Sequence, residues 1–347
     1  MISLQQENLW QGKTVLITGV CGTVGQQLLT RVLEKNPQQV IGLDNNESQL
    51  FDLAETYHAQ KEVRLVLGDV RDRHMMMDRF RKVDYVLHVA AFKHVTLCEE
   101  SPRNAVLTNI LGTQNVIDAA LANQVQRVLF TSSDKAVNPT NVMGTSKLMA
   151  ERLITAAMAQ SDKNGTRFAS CRFGNILGSR GSVLPLFKRQ IAQGRPVTLT
   201  DPGMTRFVMT LEQSVKLVMD ALFMARSGEV FVTKMQTIRI VDLAEIVIEE
   251  LAPTFGLRPD QVPLNVIGAK PGEKFYEELL NGEEARRSVE LEQFFVILPA
   301  FSHLHPTADH FPLYGPPGIA TPYDSGSEPP LSKEQLRIFL KENRLLD

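Results

Sequence analysis

Two groups of residues in this chain have the types and spacing to do chemistry. The first is Gly19, Gly22 and Gly25, a Gly-x-x-Gly-x-x-Gly series that follows the apolar run Thr14–Thr18 and opens a helical stretch, Thr23–Lys35. Glycine lets a backbone turn tightly and approach a pyrophosphate, whose charge then rests on the helix N-terminus. Asp44 ends a second apolar run about twenty residues later, where a carboxylate bonds the adenosine ribose. A carboxylate there repels a 2′-phosphate, and Asn45–Leu50 holds no arginine or lysine, so the expected cofactor is NAD rather than NADP. Asp69 and Val70, after a third run, sit where adenine is gripped. Ala90 and Ala91, after a fourth, are small enough to let the cofactor pass. The second group is Thr131-Ser132-Ser133-Asp134-Lys135, with Met143-Gly144-Thr145-Ser146-Lys147 close behind. Strand C-termini of open α/β sheets are where ligands bind. Taken alone, the Asp134-Lys135 pair reads more readily as a solvated turn before Asn138-Pro139.

The elements that must position these groups are legible from their periodicity. Thr14–Thr18, Gln39–Asp44, Val63–Asp69, Tyr85–Ala91, Arg127–Ser133 and Arg167–Asn175 are rich in Val, Ile, Leu and Phe without strict alternation, as expected of parallel strands covered on both faces. Between the fourth and fifth, Val106, Ile110, Ile117 and Leu121 keep helical spacing over Ala105–Ala122. The series predicts an α/β, Rossmann-like doubly wound parallel sheet. Beyond Asn175 the pattern predicts helices at Val183–Gln193, Leu211–Met224 and Ile240–Leu251, a strand at Gly228–Lys234, irregular structure over Pro299–Pro330 and a serine-capped helix at Ser332–Asn343.

Composition narrows the function classes. At 347 residues with 43% hydrophobic and 22% charged residues, the chain is long enough for about two domains and is not disordered. Lys and Arg number 37 against 39 Asp and Glu, with no basic run, which argues against a nucleic-acid partner. Cys21, Cys98 and Cys171 have neither CxxC nor metal spacing, so no metal is expected and the thiols fit a reducing cytoplasm. No apolar leader and no run of about 18 apolar residues is present, so neither secretion nor a membrane span is expected. Met75–Met77 reads as helix packing.

The glycine series, the strand-end serine and the x-x-x-Lys spacing together resemble the extended short-chain dehydrogenase/reductase family. In that family a Tyr-x-x-x-Lys pair moves the proton; here the tyrosine position is Met143, and a thioether exchanges no proton. This departure narrows the match. The stretch from Ser133 to Lys147, His88-Val-Ala-Ala-Phe-Lys-His-Val95, Arg172-Phe-Gly-Asn-Ile-Leu-Gly-Ser-Arg-Gly-Ser182, Thr205-Arg-Phe207 and Pro271-Gly-Glu-Lys274 resemble the nucleotide-sugar 4,6-dehydratases that act on UDP-N-acetylglucosamine. The likeness runs from about Gly12 to Leu280.

The resemblance implies a redox-neutral dehydration by a hydro-lyase. Hydride leaves the sugar C4 for NAD, the resulting ketone acidifies the C5 proton, the C6 hydroxyl departs as water, and hydride returns to C6. Asp134 is implied as acid for the departing hydroxyl and Lys135 as base at C5, with the reverse left open because a coupled pair has no private roles. Ser133 is implied at the C4 hydroxyl and Lys147 at the nicotinamide ribose. The resemblance adds Thr23, Val24, Asn45, Lys93 and Asn109 to the cofactor residues. It implies Lys93, His94, Asn175, Ser182, Val183, Arg206 and Glu273 for the UDP-sugar, with Arg180 a lesser candidate. The stretch Asp44–Leu50 resembles the NAD-using branch that retains configuration at C5; Met143 alone does not separate the two outcomes. Competing readings are a nucleotide-sugar 4-epimerase, a dehydratase of another sugar nucleotide, and a non-catalytic NAD-binding regulator. The expected division is an NAD-binding domain over residues 1–175, returning at about 207–234, and a nucleotide-sugar-binding domain over 176–206 and 235–347. Helices near 105–122 and 144–160 are expected to pair in a homo-oligomer.

Overall fold

The computed structural model describes residues 9–160, 165–300, 314 and 321–347. The strands, in chain order, are β1 (Thr14–Thr18), β2 (Gln39–Asp44), β3 (Val63–Leu67), β4 (Tyr85–His88), β5 (Arg127–Thr131), β6 (Arg167–Arg172), β7 (Asn175–Ile176), β8 (Val197–Leu199), β9 (Thr205–Met209), β10 (Val230–Thr233), β11 (Gln236–Arg239), β12 (Leu264–Val266), β13 (Glu278–Leu280), β14 (Ser288–Glu290), β15 (Phe294–Ile297) and β16 (Tyr323–Asp324). Nine of them form one sheet in the order β14-β15-β10-β6-β5-β4-β1-β2-β3, parallel from β10 through β3. The order reverses at the β1–β4 neighbour pair, the point where open α/β sheets bind ligands.

The missing alternation in the strands has a direct cause. Val15 and Ile17 pack into the core on one face with Leu28, Leu29 and Val218, while Leu16 packs into the core on the other with Val116, Phe130 and Ile154. Both faces are dry, so successive residues must all be apolar. The helix Thr23–Leu33 covers one face and Gly112–Ala122 the other. A third core, around Phe187, Ile191, Leu199, Ile238, Val247 and Leu340, lies among helices Val183–Ala192, Ile240–Leu251 and Lys333–Glu342.

At five places the structure differs from what the sequence pattern predicts. The run Arg167–Asn175 is two strands, because Gly174 lies against Phe207 and Met235, and a Cβ there would come within 2.7 Å of Met235. After that bend, β7 joins a separate sheet with β9 and β11. Residues 207–209, expected with the nucleotide domain, therefore belong to this small sheet, and the return is made by the helix Leu211–Met224 and β10. Residues 288–297, expected in the smaller domain, extend the main sheet, with β15 antiparallel to both β10 and β14. The helix expected at 105–122 contains a π-helical segment, Val106–Leu111. Of the tail expected to be irregular, Tyr323–Asp324 pairs with β13, and residues 301–313 and 315–320 lie outside the described residues.

Candidate active site

At the β1 end, Gly19 has φ +72° and a Cβ there would lie 2.8 Å from the Ala90 backbone; at Gly25 it would lie 2.2 Å from the Gly19 carbonyl. The loop after β1, the chain leaving β4 and the first turn of Thr23–Leu33 are thus in contact, and only glycine permits it. A Cβ at Gly22 would meet only the Gly19 carbonyl, so the space over Gly22 itself is open. Asp44 Oδ2 accepts from the Cys21 N–H at 2.9 Å and Oδ1 from the Asn46 N–H at 3.0 Å, fixing the loop against the end of β2. This cradle fits a dinucleotide: bare backbone, a helix start and a carboxylate at the far edge.

Other residues assigned to the cofactor have committed partners. Asp69 accepts from the Asn45 amide at 3.1 Å and from Arg71 N, Nε and Nη2 at 2.9, 2.9 and 2.6 Å. Burial pushes its pKa up, but these Arg71 and Asn45 bonds outweigh burial and hold it at about 2. Val70 is buried against Gly112, Ala91 follows Ala90 on the chain leaving β4, and Val24 packs on the core. Asn109 sits in the π segment with its amide spent on the Phe92 backbone, at 2.8 and 3.0 Å, and on Ser146 Oγ at 2.8 Å. It clamps the loop that carries Lys93.

Arg180 stands elsewhere than expected. Its guanidinium donates to the Cys21 carbonyl and to Gln49 Oε1 at 2.6 Å, and its N–H donates to Thr23 Oγ1 at 3.2 Å. A cation absent from Asn45–Leu50 in sequence therefore reaches that edge in space. Lys93 Nζ donates to the Arg180 carbonyl at 2.8 Å, and burial, then Arg180, lowers its pKa. His94 lies under Gly181, where a Cβ would come within 2.6 Å of its ring. The segment 178–182 is thereby strapped across the glycine loop.

At the β5 end, Ser132 N–H donates to the Cys171 carbonyl at 2.7 Å and Asp134 N–H to the Phe173 carbonyl at 3.1 Å. Beyond them Ala136 N–H donates to the Ser133 carbonyl and Val137 N–H to the Asp134 carbonyl, both at 3.1 Å, closing a 3₁₀ turn over Asp134–Ala136. Asp134 is 1% exposed, and its Oδ1 accepts from Ser133 Oγ at 2.7 Å, Lys135 N at 2.8 Å and Lys135 Nζ at 3.1 Å. Its Oδ2 is buried without a partner among the described residues. The helix Val142–Ala156 presses on this turn: a Cβ at Gly144 would lie 2.1 Å from the Lys135 carbonyl. On that helix Met143 is packed against Cys98 and Ala105, and buried Lys147 donates to the Thr131 carbonyl at 2.5 Å, its ammonium 4.1 Å from the Phe130 ring centre. Burial lowers the Lys147 pKa to about 7, against the pull of Glu151.

The sequence reading missed Glu277. Lys135 Nζ is 3.1 Å from Glu277 Oε1, and Arg206 Nε is 3.7 Å from the same atom. Burial disfavours the Lys135 ammonium, but Asp134 and Glu277 together raise its pKa above the ordinary lysine range. Burial raises the Glu277 pKa, against Lys135 and Arg206. Arg206, on β9, is fixed by the Thr205, Lys274 and Phe275 carbonyls at 2.7, 2.9 and 3.1 Å and faces Glu273 at 3.6 Å. Asn175, on the neighbouring β7, donates to the Phe207 carbonyl at 3.3 Å. Ser182 precedes the helix Val183–Ala192 with its Oγ unpartnered among the described residues, while Val183 packs on the third core. The one sequence signal for Glu277 was its place three residues beyond Pro271-Gly-Glu-Lys274.

The polysaccharide biosynthesis protein family model matches residues 15–299. The chain belongs to this family. Within it, the chain is 45% identical to an uncharacterized membrane protein of Methanocaldococcus jannaschii over 96% of this chain and 97% of that one. It is 36% identical to a UDP-N-acetylglucosamine 4,6-dehydratase (inverting) of Campylobacter jejuni, with 87% of each chain covered, and 39% identical to a UDP-glucose 4-epimerase of Rickettsia canadensis, with 82% of each covered. The solved structure of Pen from Bacillus thuringiensis superposes with TM-score 0.90 at 42% identity, covering 97% of this chain and 99% of that one. A dTDP-glucose 4,6-dehydratase from Streptomyces venezuelae, solved with NAD and TYD bound, shares the fold at TM-score 0.66 and 21% identity, with 76% and 86% covered. The resemblance read from the motifs is borne out: this polysaccharide biosynthesis protein is a homologue of nucleotide-sugar dehydratases and epimerases. Among its described residues no helix is long and apolar enough to cross a membrane.

Proposed function

We propose that the protein is an NAD-dependent UDP-N-acetylglucosamine 4,6-dehydratase that retains configuration at C5. The observation that carries this reading is the ion pair of buried Asp134 with partly buried Lys135 at the end of β5, where Lys147 also bonds the Thr131 carbonyl, with a proton-inert thioether at 143. An oxidation at C4 alone needs one proton acceptor; loss of water across C5 and C6 needs a second proton carrier, and the β5 end supplies it. Bound NAD would take hydride from C4 and return it to C6. Gly19, Gly22, Thr23, Gly25 and Asp44 would hold the cofactor's adenosine diphosphate part and Lys147 its nicotinamide ribose. Ser133 orients the C4 hydroxyl, Asp134 receives its proton on the unpartnered Oδ2, and the same proton leaves with the C6 hydroxyl as water. Lys135 removes the C5 proton, exchanges with solvent as an ammonium, and reprotonates the same carbon. One cluster of proton carriers, rather than two on opposite sides, favours removal and return on one face and hence retention. Arg206 presents a permanently charged group for the diphosphate.

Incubation with UDP-N-acetylglucosamine in heavy water tests this: the expected product shows a methyl signal, deuterium at C5 and ring couplings of the retained configuration. The inverted couplings overturn the stereochemical part alone. The second reading is a 4-epimerase, favoured by the Rickettsia relatives; it gives a C4 epimer, with no methyl and no deuterium at C5.

A further inference from the structure

Lys135 is held as an ammonium by two carboxylates, and a base must first give up a proton. The structure shows where that proton can go. Asp134 Oδ1 is saturated by three donors and its Oδ2 is needed for the C4 hydroxyl proton. Glu277 Oε1 stands 3.1 Å from Lys135 Nζ, and its Oε2 is buried without a partner among the described residues. Glu277 arrives from a different part of the chain, and three ties fix it. Its N–H donates to Ser325 Oγ at 3.0 Å. Lys274, on the same segment, donates to the Val137 carbonyl at 2.8 Å. Asn141 donates to the Gly272 carbonyl at 2.9 Å. The charged groups facing Glu277 are Lys135 and Asp134 from the β5 turn and Arg206 from β9.

We propose that Glu277 is the positioning residue that takes the Lys135 proton, so that Asp134, Lys135 and Glu277 work as a triad in the dehydration. The inference rests on the dehydratase reading above. In the first step a proton crosses from Lys135 Nζ to Glu277 Oε1, leaving a neutral amine and a neutral acid. The amine lone pair then takes the C5 proton, the C5–H electron pair becomes the enolate of the C4 ketone, and its collapse expels the C6 hydroxyl with the proton held on Asp134. Lys135 later returns its proton to C5, and Glu277 returns the stored proton to Lys135. No proton or electron is gained or lost over the cycle. Covering the cluster with substrate favours this exchange, because exclusion of water penalises the two separated charges more than the neutral pair. The burial that raises the Glu277 pKa acts in the same direction. Arg206 opposes it, and its pull weakens when the guanidinium is shared with a bound diphosphate.

The test compares wild type, Glu277→Gln and Glu277→Asp, all loaded with NAD, for kcat, KM, melting temperature, deuterium entry at C5 and the transient reduced-nicotinamide absorbance. An amide accepts no proton, so Glu277→Gln loses about 100-fold in kcat and in C5 exchange. It builds up the reduced-nicotinamide signal because C4 oxidation persists, and its KM and melting temperature stay close to wild type. Glu277→Asp keeps a carboxylate and falls between. Glu277→Gln within a few-fold of wild type overturns the inference, as do equal losses in the two variants or a loss without the accumulated signal. If Glu277→Gln does not fold, Glu277→Asp decides: slowed turnover with accumulated signal supports the triad, and a wild-type rate overturns it. Wild type inert toward UDP-N-acetylglucosamine removes the dehydratase reading itself, which separates the two failures.

Discussion

Lys147 is the residue whose setting most constrains its chemistry. Its amine is buried beneath Thr131 and Phe130, and Glu151, one turn further along the helix, only partly offsets the burial. The folded pKa is about 7 against 10.5 for the free side chain, so between those values the unfolded chain carries a proton that the folded one lacks. Stability therefore rises with pH across that window, and below pH 7 the buried charge costs a few kcal/mol. Lys147→Met is expected to melt higher than wild type near pH 6, with the advantage shrinking toward pH 10, and to bind NAD more weakly. Melting curves across pH check the first point, and a constant advantage would contradict it. Burial acts on His88 in the same direction. Held between Thr18 Oγ1 at 2.7 Å and Thr113 Oγ1 at 3.0 Å, it is kept neutral, its pKa lowered to about 3 by burial and by Lys147. It ties β1, β4 and the helix Gly112–Ala122 together beneath the site.

At the scale of elements, the strap 178–182 joins the helix-rich part that follows β7 to the glycine loop. Arg180 makes the junction, and its donors reach Cys21 and Gln49 from the far side of the sequence. Arg180 is exposed, so losing its bonds in Arg180→Ala costs about 1 kcal/mol or less in stability. If the strap holds the cofactor in place, NAD affinity by titration calorimetry falls at least tenfold while the melting temperature of the cofactor-free protein changes little; an unchanged affinity would show that the strap only closes on itself. The turn carrying Asp134 and Lys135 is likewise set by neighbouring elements, through Gly144 on one side and the Phe173 carbonyl on the other.

Across the whole molecule, one buried ion cluster links the main sheet to the segment that delivers Glu277. Arg172, at the end of β6, is fully buried; it bonds Glu151 at 2.5 and 3.2 Å, Glu284 at 2.9 and 3.0 Å and the Leu279 carbonyl at 2.8 Å. Breaking such a cluster leaves a charge stranded in the interior. Arg172→Met is expected to cost about 3–5 kcal/mol in urea unfolding, whereas Arg31→Met, at an exposed pair with Glu212, costs under about 1 kcal/mol. The helices expected to pair expose Val106, Leu111 and Met149, the surface on which the proposed homo-oligomer would form.

The parallel sheet was legible because both faces of its central strands are dry, which marks nearly every residue of β1, β4 and β5, whereas β3 at the edge exposes Arg64 and Leu67. The glycine loop was legible because close approach admits one residue type, and Asp134-Lys135 because an acid and an amine stand together at a strand end. Arg180's reach to the glycine loop and the return of β14 and β15 to the main sheet left no local mark, and Glu277 left only its place just beyond Pro271-Gly-Glu-Lys274. A glutamate in a polar segment or an arginine in a glycine loop has the same sequence signature whether it faces water or a lysine more than a hundred residues away. Only the folded chain sets that distance, and with it the low dielectric and the opposing charges that decide which group holds a proton.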